Sequence, residues 1–158
     1  MAKSTDSVSR VLNALEDLEL AARVLDLPDS TRTAEKAAEA VGCDVSQIVK
    51  SLVFVSDKGS HPILILTSGS NRVDENLIAT QINQKVKFAD ADFVREKTGF
   101  AIGGVAPVGH INPIETFIDQ DLLKYDEIWA AAGNPHMVFS IGPQDLVKAC
   151  KGKVISVC

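Results

Sequence analysis

The chain has 158 residues, of which 46% are hydrophobic and only 5% aromatic, and its net charge is −5. This length is typical of one domain and is enough to bury a sizeable core without disulfides or metals. The negative net charge argues against binding nucleic acid by general charge attraction. A local basic patch can still steer a small part of a nucleic acid.

The three cysteines, Cys43, Cys150 and Cys158, form no CxxC pair. The odd count argues against a disulfide framework and a zinc knuckle, and it favours reduced thiols in a cytosol. The first residues lack the apolar core of a signal peptide, and no apolar run reaches the roughly 18 residues of a membrane span. The sequence therefore predicts a soluble, cytoplasmic protein without a membrane partner.

The first half of the chain predicts two helices and three strands from its apolar spacing and its turn residues. In order, they are a helix over 7–20, a short strand over 21–27 that Pro28 ends, a helix over 33–41 that ends at Gly42, and a hairpin of strands over 51–57 and 62–67.

The second half mixes helices and strands without strict alternation. It predicts a helix over 74–82, a strand over 86–89, a helix over 90–97, a strand over 114–119, a short helix over 120–125, strands over 127–133 and 137–142, a helix over 144–149 and a strand over 153–158. This order favours a single α/β domain over 1–158 with a mixed, curved β-sheet, closed like a barrel and flanked by helices.

Lys50 is the first candidate for chemistry, because it lies in the apolar segment QIVKSLVFV. On a strand it shares a face with Ile48, Leu52 and Phe54. Burying an ammonium without a partner is costly, so Lys50 must reach a partner, a cleft or an anionic ligand. The alternative is a lysine just before the strand whose amine extends to water.

The segment GGVAPVGH, residues 103–110, concentrates three glycines, a proline and a histidine. Glycine lets another molecule approach the backbone, and gathered N–H groups can donate to a carbonyl oxygen or a phosphate. Pro107 stiffens such a loop because its φ is fixed. The segment is neither a P-loop nor a GxGxxG motif, and an ordinary tight connection remains the alternative.

The chain has three histidines, His61, His110 and His136, and none lies at metal-ligand spacing with another. No metal or other cofactor is therefore predicted. His110 is an acid–base group, a hydrogen-bonding clamp or a core residue, whereas His61 follows an apparent turn and is expected at the surface.

The segment AAAGNPHMVFSI suggests either a plain β-hairpin or a pocket whose rim carries Gly133 and His136. No nucleophile motif is present, and Cys43 lies at a helix end that does not favour a thiolate. Basic residues near the C-terminus, with others that could join them, are either solvated surface or a phosphate contact; they are Lys148, Lys151 and Lys153, with Arg72, Lys85 and Lys87.

Several of these segments, in this order, resemble the YbaK-like aminoacyl-tRNA deacylases, also called the prolyl-tRNA editing-domain family. The resemblance runs from Ser7 to the last strand and rests on TAEKAAEAVG, QIVKSLVF, TSGSNRVDENLIA, GGVAPVGH and AAGNPH. It implies a barrel-like sheet flanked by helices, and hydrolysis of the ester that joins a wrong amino acid to tRNA. It also implies a freestanding enzyme that needs no metal.

The resemblance assigns a catalytic role to Lys50 and substrate-binding roles to eight residues, namely Gly103, Val105, Ala106, Pro107, Gly109, His110, Gly133 and His136. It implies tRNA(Pro) carrying alanine, cysteine or another small residue, read through its acceptor end, with prolyl-tRNA synthetase as a partner. A histidine at position 136 favours a pocket of the alanine-specific type. Two other classes stay open: a module that binds a nucleotide or aminoacyl-tRNA end without turnover, and a thiol protein.

Overall fold

The computed structural model describes residues 2–20, 22–27 and 33–158, with side chains from Ser7 onward. The predicted break at Pro28 and the start of the predicted first strand at Ala21 lie outside the described residues. The helices are α1 (Ala2–Asp17), α2 (Ala34–Val41), α3 (Glu75–Ile82), α4 (Ala91–Thr98) and α5 (Pro143–Cys150). The predicted helix over 120–125 is instead a 3₁₀ turn over Gln120–Lys124.

The strands fall close to their predicted positions, most of them shorter by one to three residues. They are β1 (Arg23–Asp26), β2 (Val49–Ser56), β3 (Pro62–Ser68), β4 (Val86–Phe88), β5 (Glu115–Asp119), β6 (Ile128–Ala131), β7 (Met137–Ile141) and β8 (Lys153–Ile155). No helix in the described ranges is both long and apolar enough to cross a membrane.

Local capping explains where the helices begin and end. The side chains of Thr33, Asp74 and Asp90 accept hydrogen bonds from the first free amides of α2, α3 and α4. Gly42 and Gly99 end α2 and α4 in the left-handed conformation that glycine adopts without a steric cost.

The strands form two sheets, one of five strands in the order β4-β2-β3-β5-β8 and one of three in the order β1-β7-β6. The β2–β3 hairpin is antiparallel with Lys50 opposite Thr67, whereas β3–β5 and β5–β8 are parallel, so the larger sheet is mixed as predicted. Strand alternation directs Val49 and Val53 into the main core and Phe54 into a second core on the other face.

The predicted barrel is wrong, because the sheets do not close on each other. Within the described residues, a single parallel bridge between Ile48 and Trp129 links β2 to β6, and β4 pairs with β2 only over 54–56. The outer edge of β2 therefore has no paired strand over 50–53. This gap between the two sheets positions the candidate site.

Candidate functional site

A cavity of about 310 Å³ opens along the gap in β2. Its walls come from α2, the first half of β2, the segment 102–105 and β6, and they are mostly apolar. The residues that line it are Thr33, Ala34, Ala37, Val41, Ile48, Val49, Lys50, Ser51, Leu52, Val53, Phe88, Ala89, Val94, Ile102, Gly103, Val105, Trp129, Ala130, Ala131 and Val138. The structure thus brings Lys50 and the start of the glycine-rich loop to one hollow.

Lys50 contributes a charge to this apolar hollow. Its side chain is half-buried, and Nζ donates a hydrogen bond to the carbonyl oxygen of Asn71 at 2.6 Å. Burial lowers the pKa of the Lys50 amine, and Arg72 lowers it further, while the carboxylates of Glu35 and Asp119 oppose these effects. The ammonium therefore has one backbone partner and further donors for an anionic ligand.

The residue that holds the Lys50 amine is itself held by carboxylates. Asn71 Nδ2 donates to Oδ2 of Asp119 and to Oδ2 of Asp121, each at 2.8 Å. Asp119 is buried and also accepts from the amides of Ser68 and Asp121 at 3.0 and 2.9 Å. These bonds fix the turn after β3, and so they fix the carbonyl that orients Lys50.

Ser51 presents main-chain and side-chain polar groups in the same gap. The Val53 carbonyl accepts from Ala89 on the outer side of β2, and strand alternation directs the N–H and C=O of Ser51 to that side. The Ser51 hydroxyl is buried and has no hydrogen-bond partner in the described part of the protein. Such an orphaned group is unusual, and it marks a place where a ligand can complete the hydrogen bonding.

The first half of the predicted loop faces the cavity. Gly103 has φ +94°, and a Cβ added to it would meet only Pro135, at 3.9 Å. In the described ranges, the amides of Gly103 and Val105 donate to no acceptor, whereas the Gly104 amide donates to Ala101. The two amides therefore lack an acceptor within the described protein, and both residues line the cavity.

The second half of the loop packs against α1 and leaves the cavity. Gly109 has φ +79°, and a Cβ on it would lie 2.9 Å from the backbone of Arg10 and Val11. Arg10 Nε donates to the Gly109 carbonyl at 3.0 Å, which ties the helix to the loop. Ala106 is fully buried and Pro107 is buried, and neither lines the cavity that contains Lys50.

His110 closes this half of the loop as a clamp. Its Nε2 donates to the Ala106 carbonyl at 2.7 Å, and its ring meets the Phe100 ring edge-on with the centroids 5.1 Å apart. Burial lowers the pKa of His110 to about 4, and nearby Arg10 adds to the effect. The neutral imidazole therefore shapes the loop from outside the cavity, the second of the three roles predicted for it.

The segment 132–137 forms the plain hairpin connection, one of the two predicted alternatives. The Asn134 side chain accepts from the amides of His136 and Met137, and the His136 side chain is exposed. Gly133 packs against α1, because a Cβ there would lie 2.8 Å from the Ser7 carbonyl oxygen. Neither Gly133 nor His136 lines the cavity, and their predicted binding roles stay predictions.

Comparison with known proteins addresses the nature of this site. The family described as the aminoacyl-tRNA editing domain matches residues 28–149. The chain belongs to this family. Its fold agrees with a crystal structure whose description proposes a trans-editing enzyme for prolyl tRNA synthetase, with 46% identity, 96% of each chain covered and a TM-score of 0.88.

Two curated relatives are similar to this chain over most of its length. YwhH of Bacillus subtilis is 32% identical over 136 residues, which cover 85% of this chain and 86% of that protein. EbsC of Enterococcus faecalis, proposed as a Cys-tRNA(Pro)/Cys-tRNA(Cys) deacylase, is 25% identical over 79% of this chain and 76% of its own length. The predicted family and the predicted class, an aminoacyl-tRNA deacylase, are confirmed.

Several residues of the editing domain's cavity were missed by the sequence analysis. Ser51 and Trp129 line it, and Asn71 and Asp119 support Lys50 from outside it. The predicted hairpin indicated part of this arrangement, because its second strand returns the segment after residue 67 to a position beside Lys50. Nothing in the spacing linked Asp119 to that turn, since 51 residues separate it from Ser68.

Proposed function

We propose that this editing domain hydrolyses the ester of a mischarged tRNA, namely tRNA(Pro) carrying alanine, cysteine or another small amino acid. One observation supports this most: an ammonium and two available backbone amides border the same apolar cavity. The cavity suits a small aminoacyl group, while the polar groups suit the ester and the nucleotide that carries it.

Lys50 binds the anionic end of the substrate in this proposal. Its ammonium keeps two donors beyond the bond to Asn71, and Arg72 lies near enough to affect its pKa. Together they form a local positive site on a chain with a net charge of −5. A phosphate of the tRNA 3′ end fits this site, and its charge favours the protonated form of Lys50.

The loop amides act on the ester carbonyl. As an attacking oxygen adds to the carbonyl carbon, negative charge develops on the carbonyl oxygen, and the N–H groups of Gly103 and Val105 stabilise it. The attacking oxygen comes from water or the ribose 2′-hydroxyl. Burial raises the pKa of Cys43 and, to about 11, that of Cys150, which disfavours both thiols as nucleophiles.

The amino acid side chain occupies the apolar end of the cavity. Small apolar side chains form the walls there, namely those of Val49, Val53, Val105, Ala130 and Val138. These walls admit a methyl or thiol group and exclude a proline ring. The carbonyl of Ser51 accepts a hydrogen bond from the substrate ammonium, and its hydroxyl gains the partner that it lacks. Apolar contacts alone discriminate by only about 10–200-fold per methylene, so backbone contact with the ring supplies the rest.

The partner in this proposal is a charged tRNA, engaged at its acceptor end. Prolyl-tRNA synthetase is the source of the mischarged tRNA, and the editing domain acts on it in trans, in the cytoplasm. The second candidate, a module that holds an aminoacyl-tRNA end without turnover, uses the same cavity. Saturable binding of charged tRNA with the ester left intact distinguishes it from the enzyme.

A panel of charged tRNAs tests the function. The wild-type protein is expected to deacylate Ala-tRNA(Pro) or Cys-tRNA(Pro) and to leave Pro-tRNA(Pro) intact. Lys50→Ala is expected to lower the rate at least about tenfold, because one charge-assisted contact is lost, while Lys58→Ala, which changes an exposed lysine in the β2–β3 turn, leaves it unchanged. Wild-type turnover by Lys50→Ala would remove Lys50 from the mechanism.

A further inference from the structure

Phe88 is an exposed aromatic residue at the mouth of the cavity. It ends β4, the edge strand of the larger sheet, and 55% of its surface is accessible to solvent. Its ring rests on Phe54, with the centroids 4.4 Å apart and the planes tilted by 35°. One face of the ring is therefore supported by the core, while much of the side chain is presented to solvent.

The position of Phe88 relative to Lys50 follows from the strand register. Phe88 lies opposite Phe54, and alternation along β2 puts Phe54, Leu52 and Lys50 on one face of the sheet. Four residues of strand separate Lys50 from Phe54 by about 13 Å. A cation and an exposed ring thus border the two ends of the cavity mouth, with the gap in β2 between them.

We propose that Phe88 is the stacking platform for the terminal adenine of the charged tRNA. The inference rests on the proposed function, because the adenosine is the nucleoside that carries the ester. With the phosphate at Lys50 and the base on Phe88, the ribose lies over the gap, and its ester enters the cavity beside Gly103. Ile102, which is 58% exposed and lines the same mouth, covers the other side of the base.

Exposed residues of both charges flank Phe88 in the chain. Lys85 and Lys87 precede it and Asp90 and Asp92 follow it, and strand alternation puts the Lys87 side chain on the opposite face of β4 from the Phe88 ring. A chain with a net charge of −5 needs such local cations to hold a polyanion. An aromatic ring can stack on any base, so the adenine is held here by its π-face while Lys50 engages the phosphate.

The experiment compares two substrates across variants of this residue. One is Ala-tRNA(Pro) with its natural terminal adenosine, and the other is the same aminoacyl-tRNA with a terminal nucleotide that lacks the base. Phe88→Leu is expected to lower kcat/KM about fivefold or more on the natural substrate, mainly through KM, and to change little on the abasic one. Phe88→Trp keeps the platform and is expected to retain activity.

Val154→Ala is the matched control, because Val154 is an exposed apolar residue on β8, at the opposite edge of the same sheet. It is expected to behave as wild type on both substrates. An unchanged kcat/KM for Phe88→Leu on the natural substrate, or an equal loss on both substrates, would overturn the platform. Thermal unfolding of each variant shows whether an equal loss of kcat/KM on both substrates comes from a general loss of folding.

A binding measurement separates this inference from the proposed function. A non-hydrolysable aminoacyl-tRNA with 2-aminopurine as its terminal base is expected to lose fluorescence on binding wild type and to lose less on binding Phe88→Leu. If wild type hydrolyses no charged tRNA, the proposed function fails, and the fluorescence still decides whether Phe88 stacks the base. Equal quenching by the two proteins contradicts the stacking even where hydrolysis is normal.

Discussion

The two halves of the glycine-rich loop differ in what surrounds their backbone. Gly103 borders the cavity, a Cβ there would make only an ordinary contact with Pro135, and its amide has no acceptor among the described residues. Gly109 is pressed against α1, where a Cβ would lie 2.9 Å from main-chain atoms. One motif thus contains a glycine that borders the cavity and a glycine that packs against a helix.

The packed half of the loop, around Gly109, supports the open half around Gly103. Arg10 binds the carbonyls of Gly109 and Gly99, and His110 binds that of Ala106, so the chain is fixed on both sides of residue 108. The open amides can then face the cavity without their own partners. Preorganised donors of this kind stabilise developing charge without reorganising during the reaction.

The largest expected effect is the loss of stability in Gly109→Ala. The substitution adds a methyl group in close contact with α1 to a residue at φ +79°. The contact and the backbone strain together are expected to lower the free energy of unfolding by about 3 kcal/mol. Urea unfolding measures the change. Gly59→Ala is the matched control, since Gly59 has φ +75° and open space around it; equal costs in the two variants would show that crowding against α1 contributes nothing.

The burial of His110 in the packed half makes stability depend on pH, because it lowers the pKa of the imidazole although the bond to Ala106 opposes this shift. The pKa of His110 is about 4 in the folded protein and near 6.5 when unfolded, so the unfolded state binds more protons as pH falls between these values. The unfolding free energy is expected to drop by roughly 3 kcal/mol between pH 7 and pH 4 from this group. The unfolding free energy of His110→Gln should drop correspondingly less; an identical pH profile for variant and wild type would contradict the burial of a neutral imidazole at position 110.

Gly103→Ala tests the open half. Because a Cβ has room there, the variant is expected to lose only about 1 kcal/mol of stability, from its left-handed φ. The deacylation rate is expected to fall about tenfold, since the added methyl group lies beside the amides that we propose to bind the ester carbonyl. A rate equal to that of wild type, measured on the same charged tRNA, would separate this half of the loop from the chemistry.

The smallest expected effect concerns the orphaned hydroxyl. Ser51→Ala removes a buried group without a partner and is expected to gain up to about 1 kcal/mol of stability while lowering deacylation. Ser56→Ala, on the same strand, removes the donor to Gln84 and is expected to lose stability instead. Thermal unfolding compares them, and a destabilised Ser51→Ala would mean that the hydroxyl has a partner after all.

The sequence predicted most of the local structure and part of the site. Helix ends and strand periods are local signals, so the end of α2 at Gly42 and the β2–β3 hairpin were found directly. The predicted barrel failed because closure depends on pairing between distant strands, and among the described residues only the Ile48–Trp129 bridge links the two sheets.

The roles of the glycines could not be separated from the sequence. Gly103 and Gly109 have the same local signature, and the difference between them comes from α1, about 100 residues earlier in the chain. The hydroxyl of Ser51 was missed for a similar reason. Its lack of a partner is a property of the gap in β2 and not of its neighbours in sequence.

The gap in β2 has a consequence for how such a domain diversifies. The polar groups offered there by Ser51, Gly103 and Val105 include main-chain atoms, which every substitution except one to proline retains. The surrounding walls, by contrast, are interchangeable side chains such as Val49 and Ala130. Substitutions that change the size of these side chains can therefore change which amino acid the cavity accepts, while the main-chain hydrogen-bonding groups stay in place.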